Sequence, residues 1–300
     1  MTVGVAVLLV VQMILWGTAF PMIKIALVDL SPPHLTLLRH LVASAAFLPL
    51  LLAFRARLLP RRADLPFFLL LGFVGYTVYH LSLNYGQTQV SAGAASLIIA
   101  TAPAITALLA VVMVGERLPL GGWLGSAISF VGGVLIVLGD SGGGGLTFNV
   151  FAWLIVLGAV STSFYAILQR RLFDRYRPRE VAAFATWAGT LPMLAFVPGL
   201  VADVAAAGAP SLLATVYIGV FPSAVAYTIF AFALSRAPVT MVAAALYMVP
   251  VFSLIASWLL VGEVPGPLTV IGGAVAIGGI VLLNVAKQRA GRVAARTARA

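Results

Sequence analysis

The residues in this sequence that could do chemistry are isolated polar and aromatic side chains inside long apolar segments. The most polar segment contains Tyr76, Tyr79, His80 and Asn84. With Leu83, the first three recur at helical spacing, so a helix would place them on one face. Such a face lines a cavity, or it hydrogen-bonds to neighbouring helices. His80 is able to titrate between water-exposed states or to orient a bound molecule.

Other aromatic residues lie away from the ends of further apolar segments. Their rings could hold an apolar side chain or contact an ammonium group. We predict that they share one binding site with Tyr79, His80 and Leu83. These residues are Trp16, Tyr165, Trp187, Tyr227 and Tyr247. For the two tryptophans, a position at the membrane–water interface is the alternative.

Charged residues inside the apolar segments are cationic, namely Lys24 and Arg39, whereas Glu116 and Glu263 lie at segment ends. Embedded cations suit a ligand that carries a carboxylate. The sequence has no cysteine, no embedded acid and no Ser–His pair with an orienting group, and no phosphate loop. We therefore expect no enzyme activity, no catalytic residue, no cofactor and no metal site.

Membrane-spanning helices must position these residues. Of the 300 residues 62% are hydrophobic and 9% charged, whereas soluble domains average about 25% charged. A spanning helix needs about 20 apolar residues, and the alternation typical of a membrane barrel is absent. We predict an all-α integral membrane protein with ten transmembrane helices and no soluble domain. The predicted spans are 3–28, 35–54, 66–88, 91–114, 119–139, 150–170, 180–200, 210–234, 239–261 and 267–286.

The positive charges are segregated. Apart from Lys24 and Arg39, every Lys and Arg lies in an even-numbered connection or near the C-terminus, at 55–62, 117, 170–179, 236 and 287–299. By the positive-inside rule, both termini are cytoplasmic. The net charge of +10 is explained by this orientation, so we expect a lipid bilayer as partner and no nucleic acid. Residues 287–300 form a basic cytoplasmic tail.

The chain contains an internal repeat. Residues 92–117 match residues 239–264 at a constant offset of 147, with Pro103 facing Pro250 and Glu116 facing Glu263. Residues 1–140 form the first five-helix repeat, 141–149 a Gly-rich linker and 150–286 the second repeat. Because five is odd, the second repeat is inverted relative to the first, as in many secondary transporters.

The two matched prolines should each kink a helix. We predict that Pro103 and Pro250 shape the cavity, and either act as hinges or are static bends. Small residues in spans 5 and 10 allow close helix contact. They serve packing within the monomer or the interface of a homodimer.

The sequence resembles the EamA type of the drug/metabolite transporter superfamily. The resemblance covers essentially the whole chain and includes Trp16-Gly17-Thr18-Ala19-Phe20, Lys24, Arg39 and the twofold Pro, Gly-Glu and spaced-glycine pattern. It implies ten helices in inverted repeats and export or exchange of small metabolites. Within the family, the bacterial aromatic amino-acid exporters are similar.

From the residues and this resemblance, we expect a secondary transporter in a bacterial inner membrane. It would export or exchange small amphipathic metabolites, with aromatic and other neutral amino acids first, by alternating access. Export of drugs, sugars or other metabolites and a passive channel are the alternatives. Proton-coupled efflux of lipophilic cations is disfavoured, because that process needs an embedded carboxylate.

Overall fold

The computed structural model describes residues 3–139, 150–236 and 246–297. The regular secondary structure in these ranges is helical, without strands. Short 3₁₀ and π turns connect several helices. The α-helices are α1 (Val3–Ala26), α2 (Pro32–Ala53), α3 (Leu65–Gly72), α4 (Tyr79–Gln87), α5 (Ala92–Ile99), α6 (Ala102–Val114), α7 (Leu120–Gly139), α8 (Val150–Leu168), α9 (Pro178–Met193), α10 (Leu200–Ala206), α11 (Ala209–Ile218), α12 (Ala226–Arg236), α13 (Val249–Val261) and α14 (Pro267–Thr297).

Within the described ranges, eight helical stretches are long and apolar enough to cross a membrane. A ninth is counted when α9 and α10 are taken as one bent span. The stretch Leu246–Val261 is apolar but shorter, because the start of the predicted ninth span falls in residues 237–245, outside the described part. The predicted linker at 141–149 also lies outside the described residues.

The seventh predicted span, 180–200, ends earlier than the sequence suggested. Helical turns continue from α9 to Phe196, and α10 departs at an angle of 89°. Pro198 precedes Gly199, whose φ of 84° is a left-handed conformation that glycine adopts without a steric penalty. At the other end of the repeat, α14 continues through Thr297, so most of the predicted basic tail at 287–300 is helical.

The internal repeat is visible in the geometry. The helices α6 and α13 begin and end 147 residues apart, and each ends at a left-handed glycine, Gly115 with φ 71° and Gly262 with φ 69°. The π turns Phe73–Val78 and Gly219–Val225 also end at this offset, and the second begins one residue earlier in the register. Each π turn interrupts the α-helical hydrogen-bond pattern at nearly the same place in its half.

The matched helices run in opposite directions. Glu263, just beyond the end of α13, accepts a hydrogen bond from the backbone N–H of Ala92 at the start of α5. Glu116 lies beyond the end of α6, which continues the same span as α5. The two glutamates therefore occupy opposite ends of this span.

Four glycines allow α7 and α14 to pack closely. A Cβ atom on Gly125 would lie 2.5 Å from the carbonyl oxygen of Gly279. A Cβ atom on Gly132 would lie 2.6 Å from the carbonyl oxygen of Gly272. Both distances are below van der Waals contact, so only glycine fits at this separation. These glycines pack within the monomer, and a homodimer remains a prediction.

Candidate functional site

A cavity of about 320 Å³ lies between the two halves. Its walls come from α1, α2, α4, α5 and α6 of the first half. The second half supplies α8, the π turn before α12, α12 itself and the start of α13. The structure brings seven predicted binding residues to this cavity, namely Trp16, Tyr79, His80, Leu83, Tyr165, Tyr227 and Tyr247.

Trp16 is held at the wall by contacts with the second half. Its Nε1–H donates a 3.0 Å hydrogen bond to the carbonyl oxygen of Pro222. Its ring meets the edge of Tyr227 at 5.3 Å between centroids and lies 5.7 Å from Phe230. Because these contacts already fix the indole ring, ligand binding does not have to pay the entropy cost of ordering it.

His80 belongs to a cluster of rings that contact one another edge to face. Its ring centroid lies 4.5 Å from that of Tyr79 and 4.6 Å from that of His40. Its Nδ1 is 3.0 Å from the carbonyl oxygen of Tyr76, and Nδ1 of His40 is 2.7 Å from that of Thr36. A carbonyl oxygen only accepts, so Nδ1 carries a proton in both rings. This anchoring fixes the ring orientation of His80.

The remaining tyrosines line the side of the cavity that the second half contributes. Tyr165 packs edge-on against Tyr76, with their hydroxyl oxygens 3.5 Å apart. The Tyr227 ring lies between Trp16 and Tyr76. Asn284 donates a hydrogen bond to the Tyr247 hydroxyl. The cavity therefore has aromatic walls that carry several hydroxyl groups.

Trp187, also predicted as a binding residue, lies outside the cavity. Its Nε1–H donates to the carbonyl oxygen of Ser44 at 3.1 Å, and its ring packs 5.7 Å from Phe184. Helical spacing alone did not reveal that α9 turns this face toward α2 and away from the ligand-sized space. Trp187 ties these two helices together.

Arg39 of α2 lines the cavity, although it was not among the predicted binding residues. The side chain is 95% buried, since its relative exposure is 5%. Its Nη2 donates a long, 3.4 Å hydrogen bond to the Ser223 hydroxyl, while Nε and Nη1 have no hydrogen-bond partner among the described residues. The sequence signal was present, because an arginine inside an apolar segment is rare and usually functional.

Pro103 and Pro250 both line the cavity. Each lies in the first turn of its helix, α6 or α13. At this position the missing N–H costs little. The span containing Pro103 is broken at Ala100 and Thr101 between α5 and α6, so this proline follows a break and does not distort a continuous helix. Hinge motion at the two positions remains a prediction.

A second cleft, of about 490 Å³, lies away from this cavity. It is lined by arginines of the connections after α2 and α8. Its carboxylate, Glu180, already accepts hydrogen bonds from the backbone N–H groups of Arg57 and Arg177. This cleft shares no lining residue with the aromatic cavity and belongs to the arginine-rich connections after α2 and α8.

Long apolar helices, a duplicated fold and a cavity built from both halves define a multi-pass membrane transporter. Comparison with known proteins gives the family. The model of the EamA-like transporter family matches residues 4–138 and 150–285, and the chain belongs to this family. It is a transporter and not an enzyme.

Two bacterial relatives match most of the chain. The "Probable terminal-alkyne amino-acid exporter" of Streptantibioticus cattleyicolor is 38% identical over 280 residues, which are 92% of this chain and 92% of that protein. The "Uncharacterized transporter YdfC" of Bacillus subtilis is 37% identical over 89% of this chain and 86% of its own length. A solved crystal structure aligns with a TM-score of 0.66 at 20% identity, covering 96% of this chain and 99% of that one. This last likeness concerns the fold alone.

Proposed function

We propose that this transporter exports or exchanges small amphipathic metabolites, with aromatic and other neutral amino acids as its substrates. The aromatic cavity between the halves carries this proposal. Its volume of about 320 Å³ is at the lower end of the range of about 300–1,000 Å³ for ligand pockets. Aromatic walls favour an apolar side chain, and hydroxyl groups favour a polar head. The amino-acid exporter named among the relatives supports the same substrate class.

We propose alternating access as the mechanism, because charged residues connect the two halves at both ends of the molecule. Glu263 of the second half lies 3.7 Å from Lys24 of the first. At the other end, Glu116 of the first half pairs with Arg170 at 3.2 Å and Lys287 at 2.9 Å. Opening the cavity toward one side requires the halves to separate at that end. Rocking between two packings would release these ties in turn.

The proposed topology has ten spans with both termini in the cytoplasm of a bacterium, in its inner membrane. The segregation of Lys and Arg into alternate connections supports this orientation. In this orientation Glu116 and Arg170 lie on the cytoplasmic side and Lys24 and Glu263 on the outer side.

Uptake into proteoliposomes tests the proposed substrate class. Labelled phenylalanine, methionine and threonine are supplied outside vesicles that contain the purified protein, without ATP, and protein-free vesicles serve as control. We expect saturable uptake that unlabelled amino acid reduces. Uptake that rises linearly with concentration would indicate a channel instead. Folded protein that takes up none of the three would reject amino acids and direct the search to sugars and drugs.

A further inference from the structure

Arg39 is a buried cation without a counter-ion in the described part of the protein. Its relative exposure is 5%, and the hydrogen bond that its side chain makes within the described ranges goes to a neutral hydroxyl, that of Ser223. The titratable groups close enough to interact with it are three tyrosines and two histidines, namely Tyr76, Tyr79, Tyr227, His40 and His80. Tyrosine and histidine carry no negative charge at neutral pH. The described residues that line the cavity include no Asp or Glu.

Lys24, the other cation within a predicted span, differs in both respects. Its ammonium group is paired with Glu263 and its side chain is 22% exposed. It does not line the cavity. A paired, partly exposed ammonium has its charge satisfied, whereas an unpaired buried guanidinium is strongly unfavourable unless an anion joins it.

Two donors of the Arg39 side chain lack a partner among the described residues. They are Nε and Nη1, which are both buried, and the residue itself is part of the cavity wall. Guanidinium groups offer several N–H donors in one plane, which match the oxygens of a carboxylate. Arg39 is thus a charged donor group in the wall of a space of ligand size.

We propose that Arg39 binds the carboxylate of the transported molecule. The inference rests on the proposed function and specifies its substrate class as small organic carboxylates with an apolar or aromatic body. The carboxylate binds the guanidinium group of Arg39, and the body lies among the rings of Trp16, Tyr79 and Tyr227. No described acidic side chain in the cavity wall offers an ion pair to an ammonium group. The carboxylate therefore contributes more to binding than the amino group does.

Ligand analogues test the inference on the unmodified protein. The probes are phenylalanine, 3-phenylpropionate, which lacks the amino group, and phenethylamine, which lacks the carboxylate. Binding to purified protein in detergent is measured as the shift in unfolding temperature over a concentration series. We expect saturable shifts with the two carboxylates, and phenethylamine should bind at least roughly tenfold more weakly, as expected for loss of a charge-assisted hydrogen bond. Equal or tighter binding of phenethylamine, or no response to either carboxylate, would overturn the proposal.

Three variants assign the effect to Arg39. Arg39→Gln should weaken 3-phenylpropionate binding at least roughly tenfold, and Arg39→Lys should retain part of it because the charge remains. Lys24→Gln removes a cation outside the cavity and should bind 3-phenylpropionate as the wild type does. Unchanged binding by a folded Arg39→Gln protein would contradict the proposal. The analogue series on the wild type decides the matter if this variant does not fold.

The same probes separate this inference from the proposed function. Binding of 3-phenylpropionate that depends on Arg39, without amino-acid uptake, would keep the carboxylate site and reject amino-acid export. Saturable phenylalanine uptake with unchanged affinity in Arg39→Gln would support amino-acid transport and reject the carboxylate site at Arg39.

Discussion

Glu263 accepts a 2.7 Å hydrogen bond from the backbone N–H of Ala92, so the end of α13 is held against the start of α5. The other carboxylate oxygen of Glu263 faces the ammonium group of Lys24 at 3.7 Å. One side chain therefore joins three helices from both repeats. Its counterpart 147 residues earlier, Glu116, pairs with Arg170 and Lys287 at the opposite end of the span.

We expect Glu263→Ala to lower the unfolding temperature more than Lys24→Gln does. The alanine variant leaves an N–H at a helix start without its acceptor, which costs about 1 kcal/mol. Lys24→Gln removes only a partly exposed ion pair, worth about 0–1 kcal/mol. Thermal unfolding of the purified proteins in detergent measures both effects. Equal unfolding temperatures for the two variants would show that the hydrogen bond to Ala92 is not important for stability.

Glu116 should make stability depend on pH. Its hydrogen bond with Lys287 lowers the pKa of the carboxyl from the ordinary value of 4.5, and Arg170 adds to this effect. Because the pKa is lower in the folded state, the ionised carboxylate stabilises the fold at pH values above the pKa of the unfolded state. This contribution is lost as the pH falls through the folded pKa. From about pH 6 to about pH 4, the unfolding temperature should decrease more for the wild type than for Glu116→Gln. Parallel curves for the two proteins would contradict this prediction.

Much of the helical fold could be predicted from hydropathy, because a helix satisfies its own backbone hydrogen bonds in a bilayer. The repeat was visible in Pro103, Pro250 and the Gly-Glu pairs. Local geometry was harder to predict. The bend of 89° before α10 depends on one glycine, Gly199, within a segment that remains apolar beyond it. Hydropathy does not distinguish a span from an apolar helix that turns aside.

The site shows the same division. Helical periodicity and depth were sufficient to bring Trp16, Tyr79 and Tyr227 to one cavity. They were not sufficient for Trp187 and Arg39, because periodicity gives the spacing on a helix and not the rotation of that helix against its neighbours. The rotation is set by packing between distant parts of the chain, such as the bond from Trp187 to the Ser44 carbonyl.

Adjacent glycines in α7 provide a matched test of helix packing. A Cβ atom on Gly132 would lie 2.3 Å from the backbone nitrogen of Ala276 in α14, so Gly132→Ala forces the helices apart. On Gly133 the nearest contact is the Thr101 methyl group at 3.4 Å, which is ordinary van der Waals contact. Overpacking of this kind costs about 1–3 kcal/mol.

We therefore expect a clear decrease in the unfolding temperature for Gly132→Ala and little change for Gly133→Ala. Thermal unfolding in detergent, with size-exclusion chromatography to detect aggregation, measures both. A Gly133→Ala protein as unstable as Gly132→Ala would mean that this contact does not determine the separation of α7 and α14.

Two tryptophans separate binding from packing. Trp16 and Trp187 each donate Nε1–H to a backbone carbonyl, at 3.0 Å and 3.1 Å, but only Trp16 lines the cavity. Replacing either with Phe leaves a carbonyl without its donor, so both variants should lose about 1 kcal/mol of stability. Trp16→Phe should in addition raise the substrate concentration for half-maximal uptake several-fold, because the smaller ring contributes less apolar contact area. Trp187→Phe should leave that concentration unchanged. If the change appeared in Trp187→Phe instead, the binding site would lie between α2 and α9 and the cavity assignment would be wrong.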